Sequence, residues 1–413
     1  MEKKIVSINS LNCGSTGKIM MQISELAEKK GYKSYVAYGD FRNNKELAVK
    51  NAIVIGNQYG RNLSMQICRV FGRLEQCVPL ATYRALKQLD KLKPDLIHLH
   101  NIHGGYIHIG MLFSYIKKHK IPVVWTLHDC WSITGHCPYF TFEKCEKWKT
   151  GCFDCVKYKK YPESYIDNSK WAWQYKRKCF TGIEDLTLVT PSQWLADLVK
   201  QSYLEDYKIK VINNGIDLNI FKPRESGFRK KYGLQDKKIL LGVAFNWSYK
   251  KGLDVFIELS CRLDEKYRIV LVGTNDKVDA QLPKNIISIH RTQNQEELAE
   301  LYSMADLFVN PTREDNYPTV NMEAIACGTP VITFKTGGSP ECIDNTCGSV
   351  VEYDDIDSME RKIRNICEHS VYSKEACRKK AAEFDMNEKF DMYIDLYDDI
   401  LLERKERIVT KGV

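Results

Sequence analysis

The chain has 413 residues, 44% hydrophobic and 28% charged, with a formal net charge of +8. That length allows two or three domains with full cores, and no uninterrupted apolar run approaches the ~20 residues of a spanning helix, which argues against an integral membrane protein. The small positive excess does not argue for nucleic acid and suits anionic partners such as a nucleotide, a lipid diphosphate or a membrane surface.

Met1–Ile8 reads as a first strand rather than a signal peptide, so cytoplasmic residence is expected, with a peripheral place at the cytoplasmic face of the membrane left open. The 15 cysteines include scattered single ones in apolar contexts, such as Cys261, Cys327 and Cys367, which read as reduced core residues.

Lys4–Asn9 reads as a central strand. Leu11–Lys18 follows as Leu-Asn-Cys-Gly-Ser-Thr-Gly-Lys, then a helix through Met20, Ile23, Leu26 and Ala27. A P-loop fails on both sides: Asn12 stands in place of the first Gly, and Ile19 replaces the Ser or Thr that would hold Mg²⁺. A strand, a glycine loop and a helix still set Gly14 and Gly17 at a sheet mouth rich in backbone N–H groups, or serve only a tight turn. Tyr32–Tyr38 is the second strand. Arg61–Leu74 carries Leu63, Ile67, Val70, Phe71 and Leu74 on one helical face, with Arg61, Arg69 and Arg73 elsewhere. That face is expected to pack on the core, a membrane-surface helix being the alternative.

Pro94–Asn101 reads as a buried strand entering a polar loop with His103, Gly104 and Gly105. His98 and His100 share one side of the strand, and neither a carboxylate nor a cysteine completes a metal set, so the three histidines are expected to be hydrogen-bonded rim residues. Ile121–Asp129 is the next strand, with His128 near its end. Four cysteines then fall in the pattern Cys137-x7-Cys145-x6-Cys152-x2-Cys155, in a segment without a continuous hydrophobic pattern. The two-residue spacing lets one turn bring two sulfurs to one metal, and four thiolates on a structural Zn²⁺ would hold the segment; free thiols or disulfides are the alternatives. His136 is a spare ligand and Cys130 a weaker one.

Leu186–Thr190 with Pro191-Ser192 reads as a strand and helix cap, and Asn214-Gly215 as a turn near a domain boundary. The division expected is 1–205 with an insertion at about 130–160, then 206–385, then a C-terminal helix within 386–413 that begins about Asn387 and ends about Arg404. Lys238–Ala244 is the first strand of the second domain and leads into Phe245-Asn246-Trp247-Ser248-Tyr249-Lys250-Lys251-Gly252. Arg268–Gly273 is another strand.

Ala305–Val309, a loop, the helix Thr319–Ala326, the stop at Gly328 and Pro330, and the strand Val331–Phe334 closed by Gly337-Gly338 form one βαβ unit. Asp315 belongs to the loop at the strand's carboxyl end, and Glu323, a turn into the helix, leans back toward it. Between them the N–H groups of Thr319 and Val320 make an anion site. Carboxylates for hydroxyls beside a helix start for phosphate suit a phosphorylated, polyhydroxylated ligand.

This stretch resembles the E-x7-E motif of glycosyltransferase family 4, retaining nucleotide-sugar-dependent enzymes of the GT-B fold. Asp315 takes the first position, with Glu314 beside it as the other candidate acid, and Glu323 the second. Asn316-Tyr317-Pro318 stands where Gly-Phe-Gly is usual. The resemblance runs in order along nearly the whole chain. It implies an α/β fold of two Rossmann-like doubly wound domains facing across a cleft, with the last helix crossing back to the first domain.

It also implies that Gly14, Gly17, Gly337 and Gly338 line the donor site. Lys251, helped by Lys250, would clamp the diphosphate, although Phe245 or Asn246 stands where the family has an Arg. Tyr317, Pro318, Thr319 and Val320 would border the phosphates, and Glu323 would bind ribose. His128 would meet the donor sugar, accepting from a hydroxyl or stabilising charge, with Asp315 or Glu314 orienting the ring. No catalytic cofactor is implied. The cysteine segment resembles a loop in a subset of bacterial polysaccharide glycosyltransferases, so the acceptor expected is a glycan or lipid-linked oligosaccharide. A sugar-nucleotide epimerase of the same fold and a non-catalytic nucleotide-sugar or zinc-binding protein are the rival readings.

Overall fold

The computed structural model describes residues 2–40 and 50–411. Short, near-continuous apolar runs build its strands, the composition expected when both faces of a parallel sheet are covered. Among the described residues the first sheet contains β1 (Lys4–Asn9), β2 (Lys33–Gly39), β3 (Ala52–Ile55), β4 (Leu96–Leu99), β5 (Val123–Thr126), β6 (Leu186–Thr190) and β7 (Lys208–Val211). Its order is β3-β2-β1-β4-β5-β6-β7. The second contains β8 (Lys238–Val243), β9 (Tyr267–Val272), β10 (Ile286–Ile289), β11 (Leu307–Asn310), β12 (Val331–Phe334) and β13 (Gly348–Val351), in the order β10-β9-β8-β11-β12-β13. The paired strands are parallel throughout. In each sheet the order reverses beside the first strand, at β1/β4 and at β8/β11, and the loops leaving the carboxyl ends there are where doubly wound sheets bind ligands.

The chain divides into two compact units, Met1–Ile212 with Phe390–Val413, and Asn213–Lys389. The division falls later than the 205/206 boundary read from the sequence because β7 pairs with β6, Thr187 opposite Lys208, and so belongs to the first unit. The last helix runs Met386–Lys411, beyond the expected Arg404. It is tied to the first unit by Asp398, which takes Lys3 at 2.8 Å and the Tyr32 hydroxyl at 2.6 Å, and by Asp391 with Lys30 at 2.7 Å. Tyr397, fully buried, meets His98 Nδ1 at 2.6 Å.

The helix Gln58–Phe71 overturns one expectation. Its inward side is Ser64, Met65 and Cys68: the Val78 amide donates to Ser64 Oγ at 2.8 Å, and Met65 and Cys68 pack with Cys77 and Val78. The stripe of Tyr59, Leu63, Ile67, Val70 and Phe71 faces outward instead, with exposures from 51% to 87%. Hydrophobic periodicity located the stripe; the capping turn at Cys77–Val78 decides which face is covered.

Replacing Tyr397 with Phe removes the hydroxyl on His98 and keeps the ring. The Y397F protein is expected to lose about 1 kcal/mol of stability, read as a lower urea midpoint, while an unchanged midpoint would show that this hydrogen bond does not hold the helix.

Candidate active site

In the second unit, the loop after β8 and the loop after β11 are locked to each other. The Arg313 amide donates to the Lys250 carbonyl at 2.8 Å. Gly252, at φ +74, lies so close to Pro311 that a Cβ would come within 2.5 Å of it. The loop after β12 joins them: Gly337, at φ +54, lies against the Asp315 carbonyl, and the Gly338 amide donates to Asn316 O at 3.0 Å. A buried polar chain supports the floor. Asn310 Nδ2 donates to Asn321 Oδ1 at 2.8 Å, Asn321 Nδ2 to Ser339 Oγ at 2.9 Å, and Ser339 meets Thr333 Oγ1 at 2.7 Å.

The brace of this mouth is Arg313, a residue to which the sequence reading assigned no role. Its side chain is 2% exposed. Nη1 and Nη2 each reach Asp254 at 2.8 Å, Nε and Nη2 reach Asp354 Oδ1 at 2.9 and 2.6 Å, and Nη1 donates to Tyr249 O at 2.6 Å. The guanidinium also lies 3.9 Å over the Tyr249 ring. Its only signal in the sequence was an Arg set directly before two acids in a loop.

Around this brace the candidate donor residues gather. Lys251 pairs with Asp315 at 2.6 Å, and Lys250 pairs with the buried Glu314. Both lysines stay more than a third exposed. The helix Thr319–Ala326 begins after Pro318 with no side-chain cap, so no side chain competes for its first amides. Glu323 Oε2 accepts from the Tyr302 hydroxyl at 3.0 Å, and burial, with Glu323 adding to it, pushes that phenol well above its ordinary value. Tyr317 and Pro318 are buried behind the loop, whereas Asn246 is exposed beside Phe245, itself 94% exposed. The chemistry available is two ammonium groups and a helix start for phosphate, beside three carboxylates for hydroxyls.

In the first unit, Gly17 sits where a Cβ would meet the Asn12 backbone at 2.7 Å, so the glycine lets the helix Gly14–Lys29 start against the loop after β1. Asn9 ties the reversal point together: its side chain donates to Leu11 O at 2.8 Å and accepts the Asn101 amide at 3.0 Å. The histidines form hydrogen-bonded pairs. His98 Nε2 meets Thr126 Oγ1 at 2.8 Å, and His100 Nδ1 meets His128 Nε2 at 3.0 Å. His103 Nε2 meets Asp129 at 2.9 Å and its Nδ1 meets the Tyr161 hydroxyl at 3.1 Å. Burial lowers His98 to about 3 and His128 to about 4, so both are neutral near pH 7. Burial alone would raise the Asp129 carboxyl; His103 and the Trp131 amide hold it below its ordinary value instead.

Cys137, Cys145, Cys152 and Cys155 line one cavity of about 290 Å³. Cys152 Sγ accepts the Gly135 amide at 3.1 Å, and the hydrogen bond between Cys137 and Cys155 lowers the Cys155 thiol to about 7. Among the described residues no group of three or more His, Cys, Asp or Glu is placed to hold a metal ion, His136 and Cys130 included.

Two family models match the chain: "Glycosyltransferase Family 4" over residues 17–220 and "Glycosyl transferases group 1" over residues 225–384. Among curated proteins it is similar to the putative colanic acid biosynthesis glycosyl transferase WcaC of Escherichia coli K12, 24% identical over 94% of this chain and 97% of that protein. Among solved structures it is similar to sucrose-phosphate synthase from Thermosynechococcus elongatus, with a TM-score of 0.73 at 16% identity, covering 97% of this chain and 100% of that one. Anabaena HepE in complex with UDP gives a TM-score of 0.70 at 16% identity with the same coverage. These likenesses identify the architecture described above as GT-B.

Two outcomes are expected from the site as built. Arg313→Ala leaves two carboxylates and a carbonyl facing one another and should cost about 3 kcal/mol, with R313K recovering little because an ammonium cannot bridge all three; equal midpoints for wild type and R313A would remove the brace. The lowered histidines set a pH dependence. Folded His98 and His128 stay neutral down to about 3 and 4, while the unfolded chain takes up protons below about 6.5. The unfolded state therefore binds more protons in that window, and stability falls as pH drops from about 6.5, each histidine contributing up to about 1.4 kcal/mol per pH unit. Urea midpoints at pH 7 and pH 5 check the sign.

Proposed function

The chain belongs to the glycosyltransferases of family 4 and group 1, and from that premise we propose that it is a retaining enzyme of bacterial surface-polysaccharide synthesis. It moves a sugar from a uridine diphosphate donor to a hydroxyl of a glycan or lipid-linked oligosaccharide. The observation that carries the reading is the pairing of Lys250 with Glu314 and Lys251 with Asp315 beside an uncapped helix start. Cations for a diphosphate and carboxylates for hydroxyls stand within one locked set of loops. The likeness to HepE, solved with UDP and with UDP-glucose, supports uridine, and the likeness to WcaC supports a polysaccharide product.

In this reading the donor diphosphate takes the ammonium of Lys251, with Lys250 adjoining and the Thr319 and Val320 amides completing the cradle. Glu323, steadied by Tyr302, accepts from ribose hydroxyls, and Asp315 or Glu314 orients the sugar. The bond from the anomeric carbon to the diphosphate oxygen breaks, and a bond to the acceptor oxygen forms on the same face. A diphosphate oxygen takes the acceptor's proton, so no enzyme nucleophile is required. The charge on the leaving diphosphate is met by lysines and helix amides.

A peripheral membrane contact belongs with a lipid-linked acceptor. No helix among the described residues is long and apolar enough to cross a membrane. The outward apolar stripe of Gln58–Phe71 offers a surface for it; on the same helix Arg69 pairs with Glu163 at 3.4 Å and Arg61 reaches Gly104 O at 3.4 Å, so the apolar side chains carry the contact. Tyr165 and Ile166 extend the exposed apolar area, since the Tyr165 amide donates to Arg69 O at 3.1 Å.

Three measurements test the reading. Lys251→Ala and Glu323→Ala should each weaken UDP binding by about 2 kcal/mol in calorimetry, and unchanged affinity in both would sink the donor site. The anomeric proton coupling of the first-formed product reports stereochemistry; inversion would refute retention. In flotation with anionic vesicles, Leu63→Ser with Phe71→Ser should release most of the bound protein, and equal flotation of wild type and variant would rule out this helix as the contact.

A further inference from the structure

The two lysines of the mouth stand against more negative charge than they carry. Lys251 Nζ lies 2.6 Å from Asp315 Oδ2, and Lys250 pairs with Glu314. Glu323 adds a third carboxylate from the helix Thr319–Ala326. Arg313 brings no spare charge, because Asp254 and Asp354 take its guanidinium. Lys335, in the loop after β12, is paired with Glu352 at 3.1 Å. Phe245 and Asn246 stand where the resemblance led one to expect a further cation.

The backbone of both acids is fixed. The Arg313 amide before them donates to the Lys250 carbonyl at 2.8 Å, Thr312 Oγ1 donates to Glu314 O at 3.3 Å, and the Gly338 amide after them donates to Asn316 O at 3.0 Å. Gly337 packs so closely on the Asp315 carbonyl that a Cβ there would overlap it. The two carboxylates can therefore turn, but they cannot leave the neighbourhood of the lysines.

Such a mouth treats the two nucleotides of a glycosyl transfer differently. In a sugar nucleotide the terminal phosphate is esterified, and the sugar brings hydroxyls that donate to carboxylates. When the sugar leaves, the terminal phosphate exchanges that ester for the acceptor's proton. It then loses the proton to solvent above about pH 6, where the second ionisation of a phosphate lies. The nucleoside diphosphate thus carries one more negative charge than the donor and lacks the sugar's hydroxyls. Carboxylates held beside the lysines oppose the added charge and lose their donors.

We infer that Asp315 and Glu314 are specificity-determining residues that favour the sugar nucleotide over the nucleoside diphosphate formed from it, and so hasten release of that product. The lysines hold the diphosphate in both; the acids set which of the two is held more tightly. This role rests on the donor site proposed above and extends it to the step after transfer.

Calorimetry on the full chain at pH 7.5, with UDP and UDP-glucose as the probes, gives the test. Asp315→Asn removes the charge and keeps the shape. D315N should bind UDP about fivefold more tightly than the wild type does, and UDP-glucose no more tightly. Glu314→Gln should shift the two affinities in the same directions. Glu314 is buried, so if E314Q does not fold, D315N decides alone, the Asp315 side chain being 20% exposed. UDP affinity unchanged or weakened in D315N would overturn the inference, as would equal tightening toward both nucleotides. A wild type that binds neither UDP nor UDP-glucose would remove the donor site itself, whereas binding of both without a change in D315N removes only the preference assigned to the acids.

Discussion

The second unit depends on one buried cation. Arg313 joins the start of the helix after β8, through Asp254, to the turn after β13, through Asp354, and closes on the Tyr249 carbonyl. A guanidinium with five donors in a fixed fork can serve two carboxylates and a carbonyl at once, which neither a lysine nor an apolar side chain can do. Because Arg313 directly precedes Glu314 and Asp315, its immobility is passed through the backbone to those acids, and through them to Lys250 and Lys251. The exposed cations of the mouth are thus held by a buried one.

The first unit meets the same requirement with neutral groups. Asn9 joins the loops after β1 and β4, His100 and His128 just past the ends of β4 and β5 join one another, and His98 in β4 meets the C-terminal helix. Burial keeps these rings uncharged, which makes their hydrogen bonds directional without an ion to solvate. Both sheets reverse strand order beside their first strand, so the backbone places the two sets of polar groups at equivalent positions in their own units.

Much of this was legible in the sequence, and the reasons differ by element. The helix Thr319–Ala326 and the strand Val331–Phe334 were found with the ends the structure gives them, because Gly328 and Pro330 punctuate them unambiguously. The pairing of Lys251 with Asp315 was not readable, although both residues were marked, because it depends on how two loops distant in sequence meet. Arg313 went unassigned because nothing local announces partners at Asp254 and Asp354. The outward stripe of Gln58–Phe71 was located by period and assigned to the wrong environment: amphipathicity says that a face is apolar, not what covers it.

The central claim is that the second unit holds a nucleoside diphosphate at the mouth braced by Arg313. Thermal unfolding of the purified chain with UDP, GDP, ADP, CMP and dTDP and their sugars tests it most directly, because a ligand bound only by the native state raises the midpoint by mass action. The account predicts a selective rise with UDP and UDP-sugars. No rise with any nucleotide would contradict it, and the lysines at the mouth would then serve only to hold its acids.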